Sequence, residues 1–132
     1  MKIKSKILAL SLILLGFAFS VSAQKAEPNE IKFAKGKTSE IVSGTLSNNQ
    51  EMDYVFAAKA GQQISLSVAS KPSGNLFDFT IAGDGFELQT DYDSYKNYKF
   101  TAPETGNYLV SVRKKPTESN KSAKFYLTLS IK

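Results

Sequence analysis

The stretch Tyr98-Lys-Phe-Thr-Ala-Pro-Glu-Thr-Gly-Asn-Tyr-Leu-Val-Ser-Val-Arg-Lys-Lys-Pro116 decides how the chain is read. Tyr98 and Phe100 alternate with polar neighbours, and Tyr108, Val110 and Val112 alternate with Ser111 and Arg113. Period-2 alternation marks strands with one buried face. Pro103 suits the second position of a type I or II turn, and Gly106 can take positive φ where the chain re-enters a strand. The pattern predicts a β-hairpin whose aromatic inner face needs a second sheet to cover it.

The same alternation extends in both directions. Upstream, Ile31 and Phe33 read as the start of a short strand, and residues 39–46 as a second strand carrying Ile41 and Val42, with Gly44 suggesting a bulge. Asn48, Asn49 and Gln50 form the loop of a further expected hairpin, followed by Tyr54 and Phe56 in the next strand. Ile64, Leu66 and Val68 give the cleanest alternation, and Phe77, Phe79 and Ile81 resume it after the turn at Pro72 and Gly74. Residues 86–91 read as a weaker strand, and Phe125, Leu127, Leu129 and Ile131 close the chain. Turn signals recur every ~8–12 residues, with no helical period after the first residues. The expected fold is all-β: an antiparallel sandwich of about eight strands.

The chain opens differently. Lys2, Lys4 and Lys6 precede an apolar run from Ile7 to Phe19 and then Val21-Ser-Ala23, the three regions of a secretory signal peptide. The run is shorter than the ~20 residues of a spanning helix, so cleavage after Ala23 is expected rather than a stable membrane anchor. Removing 23 of the 132 residues leaves 109, one domain by size, spanning 24–132. Losing the three signal lysines takes the net charge from +5 to +2, which removes the main support for a nucleic-acid partner. A soluble periplasmic or secreted protein without disulfides is expected, since the sequence has no cysteine.

Histidine is absent too, which excludes serine triads, cysteine nucleophiles and histidine-bearing zinc sites. Carboxylates remain. Asp78, Asp84, Glu87, Asp91 and Asp93 lie in a run from Pro72 to Tyr95 that contains no lysine or arginine. Two carboxylates without a cleft do not make a glycosidase, and the spaced loop of a calcium site is missing. A charged edge that discourages strand pairing is the plain reading of this segment. Arg113, Lys114, Lys115, Lys121 and Lys124, interrupted by a single acid, Glu118, form a basic counterpart. That loop is either simply solvated or a probe for an acidic cleft. Neither enzyme chemistry nor a cofactor is expected.

Gly44-Thr-Leu46, Asp53-Tyr-Val-Phe56, Ala60-Gly-Gln-Gln-Ile-Ser-Leu66, Ala102-Pro-Glu-Thr-Gly-Asn-Tyr108 and Tyr126-Leu-Thr-Leu129 resemble the bacterial pre-peptidase C-terminal sandwich domains. Within that group, a stand-alone exported chain with Phe33-Ala-Lys-Gly-Lys-Thr-Ser39 is similar to the periplasmic inhibitors of goose-type lysozyme. The resemblance implies a goose-type lysozyme as protein partner, with loops at one end of the sandwich plugging its substrate cleft. The residues placed there are Lys114 and Lys115, with Arg113 beside them and Asn49 and Gln50 nearby if the hairpins align. Asp91 and Asp93 would face a basic rim, with Tyr92 and Tyr95 as aromatic anchors. The alternative is an accessory module that binds carbohydrate or an exported protein without inhibition.

Overall fold

The computed structural model describes residues 27–88 and 95–132. The expected signal peptide therefore lies outside the described residues. Eight strands follow: β1 (Asn29–Glu30), β2 (Ser39–Ser47), β3 (Glu51–Ala58), β4 (Gln63–Lys71), β5 (Phe77–Gly83), β6 (Asn97–Thr101), β7 (Gly106–Lys114) and β8 (Ser122–Ile131). They form two four-stranded sheets, one ordered β1-β3-β7-β5 and the other β2-β8-β4-β6. All pairings are antiparallel except the short parallel contact of β1 with β3. The all-β sandwich expected from the alternation is what the chain forms.

Its connectivity is not. Odd-numbered strands make one sheet and even-numbered strands the other, so no two consecutive strands pair. The stretch from Tyr98 to Pro116 is consequently an arch across the core rather than a hairpin: β6 pairs with β4, and β7 lies between β3 and β5. The β2–β3 connection through Asn48 is likewise an arch. Packed sheets lie ~10 Å apart, a gap that a short loop spans about as readily as the ~4.8 Å between paired strands. The 102–105 corner is fixed by Tyr108, whose hydroxyl donates to the Glu104 carbonyl at 2.6 Å and accepts from the Glu104 amide at 3.3 Å. This is tyrosine-corner geometry. Buried Ala102 ties the same corner to the β3–β4 turn, through Ala102 N to Gln62 O and Gly61 N to Ala102 O, both 2.8 Å.

The inward positions are those the alternation marked. Tyr54 and Phe56, Ile64, Leu66 and Val68, Phe77, Phe79 and Ile81, Tyr108, Val110 and Val112, and Phe125, Leu127 and Leu129 form one buried cluster. Phe56 stacks on Tyr108 at 5.5 Å between centroids, and Phe86 meets Tyr108 edge-to-face at 5.1 Å. Gly44 is not a bulge. The β2–β8 register runs unbroken through Gly44 opposite Phe125, and a Cβ there would sit 3.1 Å from the Phe125 ring and from Met52. The glycine admits the aromatic ring instead. Residues 86–88 are irregular, while 89–91 fall outside the described residues. The first strand is Asn29–Glu30, one residue before buried Ile31, whose amide bonds the Val55 carbonyl at 2.9 Å.

Candidate functional site

Three arches leave the sandwich at one end: β2–β3, β4–β5 and β7–β8. The first and third are stitched through Asn48. Its Oδ1 accepts from Lys114 Nζ at 2.8 Å and from the Thr117 amide at 3.2 Å, while its Nδ2 donates to the Thr117 carbonyl at 2.9 Å. Backbone bonds reinforce the join, from Asn49 N to Lys114 O, Lys114 N to Gln50 O and Asn48 N to Lys121 O. The β4–β5 arch is drawn in by Lys115, whose amide bonds the Leu76 carbonyl and whose Nζ donates to Asn75 Oδ1, both at 2.9 Å. Thr117 Oγ1 then turns the β7–β8 arch by donating to the Asn120 carbonyl at 2.8 Å.

Asn49, Gln50, Lys114 and Lys115 are thus brought together even though the hairpins expected to align them do not exist. Asn49 and Gln50 are exposed, Asn49 with a positive φ of 67° that asparagine tolerates. Gln50 folds its side chain back to accept from the Ser47 amide at 2.8 Å. Lys115 is half-buried, held by a single bond from its ammonium to Asn75. Arg113 points outward from β7 and meets Asp78 at 3.4 Å, its side chain 45% exposed.

Lys114 departs from expectation. The sequence puts it on a loop that is either solvated or a probe for an acidic cleft, yet it has no exposed surface at all. Its position explains this: Lys114 continues the inward series Tyr108, Val110, Val112 as the last residue of β7. Its stem closes the core beneath the arches, and its ammonium is held by Asn48 Oδ1 and by the Lys115 carbonyl at 2.7 Å. Among the described residues it has no carboxylate partner, so neutral acceptors alone compensate a buried cation. Such a group holds loops in place rather than reaching out of them. Asn48, the hub of this arrangement, carries no strong sequence signal, since side chains of its kind are common in turns. The burial of Lys114 was legible from its parity.

The other expected anchors lie elsewhere. Tyr95 is buried, not presented: it bridges Phe79 at the free edge of β5 and stacks on Tyr98 at 4.1 Å between centroids. An edge strand with unpaired backbone groups needs covering, and Tyr95 provides the cover. Asp91, Tyr92 and Asp93 lie outside the described residues. Asp84 bonds the Asn107 carbonyl, near the start of β7 and therefore ~23 Å along that strand from Lys114. Among the described residues no group of three or more acidic side chains can hold a metal ion.

What this end offers, among the described residues, is a stitched rim of amide, arginine and lysine groups. The chain matches no protein-family model. It is 26% identical over 139 aligned positions, covering all of both chains, to an inhibitor of g-type lysozyme from Escherichia coli (strain K12). Among solved structures, a periplasmic lysozyme inhibitor of g-type lysozyme from Salmonella Typhimurium superposes with a TM-score of 0.61 at 26% identity, over 82% of this chain and all of that one. The pre-peptidase C-terminal domain of a collagenase from Bacillus anthracis shares the fold, with a TM-score of 0.55 at 19% identity over 83% and 98% of the two chains. In sequence from end to end, and in fold over the sandwich, this chain resembles the periplasmic inhibitors of g-type lysozyme.

Proposed function

We propose that the protein is an exported, non-enzymatic inhibitor of goose-type lysozyme, acting in the periplasm or beyond it once residues 1–23 are removed. The similarity to a g-type lysozyme inhibitor along the whole chain carries this reading. The blocking surface is the stitched end of the sandwich. Asn49 and Gln50 are exposed on one arch, and Lys115 and Arg113 flank them with cations held by Asn75 and Asp78 through one contact each, which can be exchanged. A lysine or arginine inserted against a cleft carboxylate forms a charge-assisted bond worth ~1.5–3 kcal/mol. Lys114 does not touch the enzyme in this mechanism. It fixes the distance between the two arches that do, and so reduces the ordering cost of binding.

Asp91 and Asp93 contribute through the long-range field, drawing in a cationic enzyme without having to share the contact surface. The test is an inhibition assay of the mature protein against goose-, chicken- and invertebrate-type lysozymes. Inhibition of the goose type with little effect on the others is expected; no inhibition of the goose type at any attainable concentration overturns the reading.

A further inference from the structure

The two outer faces of the sandwich are oppositely charged. On the β1-β3-β7-β5 sheet, Glu51, Asp53 and Asp78 point outward with Arg113 as the opposing cation. On the β2-β8-β4-β6 sheet no outward position is acidic. The only acid in those four strands, Glu40, takes inward parity, while Lys71, Lys99 and Lys124 are exposed on the outer face.

The register adds a second observation. Lys71 and Lys124 stand directly opposite each other on β4 and β8. Like charges in directly opposed positions destabilise a sheet, so the pair is poised for a bridging anion. At the other end of the face, Lys99 and Lys132 line a depression of about 320 Å³ with Gln63, Ser65 and Ser130. Between these cationic ends, ~20 Å apart along β8, the paired outward residues are Ser43 and Ala69 with Tyr126, Ile41 and Ser67 with Thr128, and Ser67 with Asn97, while Ser65 pairs with Ser130 at the depression. Lys124 Nζ lies over the Tyr126 ring, 5.2 Å from its centroid.

We propose that this face is a docking surface for an anionic polysaccharide, its acid groups held at the Lys71–Lys124 pair and at Lys99 and Lys132, and its hydroxyls bonded by the serine and threonine side chains between. The surface borders the inhibitory end at Lys71 and Lys124 but lies on the outer face of the sheet, and the proposal does not depend on what that end binds. Charge complementarity selects an anion. The hydroxyl- and amide-rich centre selects a sugar chain over a lipid surface, which would need more apolar side chains than the exposed Ile41, and over single-stranded nucleic acid, which would need several stacking rings rather than Tyr126 alone.

The experiment measures binding of the mature protein to polygalacturonate, to neutral dextran and to phosphatidylglycerol vesicles at low and high salt. It compares wild type with Lys71→Ser/Lys99→Ser/Lys124→Ser and with Lys59→Ser in the β3–β4 turn as control. Expected are binding to polygalacturonate but not dextran, weakening with salt, and a loss of about tenfold or more in the triple variant but not the control. Polygalacturonate should also raise the melting temperature of wild type and not of the triple variant, whose own melting temperature should not fall once the opposed lysines are gone. Absence of wild-type binding, equal binding by the triple variant, equal binding to dextran, or tighter binding to the vesicles than to polygalacturonate each overturns the proposal.

Discussion

Replacing Lys114 separates two accounts of the basic loop through stability rather than inhibition. A solvated lysine can be truncated with changes within ~0.5 kcal/mol. Lys114 instead fills the end of the core and makes two ammonium hydrogen bonds, to Asn48 Oδ1 and to the Lys115 carbonyl. Lys114→Ala leaves a cavity the length of the stem and removes a partner from both acceptors. The cavity term resembles a buried Met→Ala change, ~2–5 kcal/mol. Lys114→Met keeps the stem and relieves the burial of a charge while losing the same two bonds, and Asn48 Oδ1 still accepts from the Thr117 amide. These terms oppose each other, so its net cost should stay below ~1.5 kcal/mol. For a domain of this size ~1 kcal/mol corresponds to ~4–8 °C in Tm, so thermal and urea unfolding resolve the two variants readily. Equal stability of Lys114→Ala and wild type would refute the buried position, and Lys114→Met as damaging as Lys114→Ala would refute the claim that the stem dominates.

Lys115→Ala should leave Tm within ~3 °C of wild type, as a surface change does, and raise the inhibition constant at least ~10-fold, chiefly through faster dissociation; unchanged inhibition would move the contact elsewhere on the rim. Asp91→Asn/Asp93→Asn should slow association with a goose-type lysozyme at low salt and flatten its salt dependence with dissociation nearly unchanged, as stopped-flow measurements would show. Tyr108→Phe should cost ~1–3 kcal/mol by leaving the Glu104 amide and carbonyl without their hydroxyl partner, read by urea titration. Burial pushes the Tyr54 phenol above its ordinary value of 10.0. The neutral form is the one the fold favours, so this contribution to stability is intact below pH 10 and is lost as pH rises above it; Tyr54→Phe should flatten that alkaline decline in urea titrations run from pH 9 upward.

Strand positions and their inward faces were legible in the sequence because period-2 alternation is a local property: each side chain points opposite to its neighbours whatever sheet the strand joins. Alternation assigns Val110 and Leu127 to the core on that ground, and both are fully buried. The same rule applied one residue pair further would have buried Lys114, but lysine chemistry suggested solvent. Alternation says nothing of which strand lies alongside. The turn at Pro103 and Gly106 suits a hairpin as well as an arch, and only the competition among eight strands for two sheets sends β6 to β4 and β7 to β3 and β5. The burial of Tyr95 and the facing of Lys71 by Lys124 have the same origin. Which edge needs covering, and which charges come to lie opposite each other, is set by contacts between residues distant in the chain, and those exist only once both sheets have closed on the core.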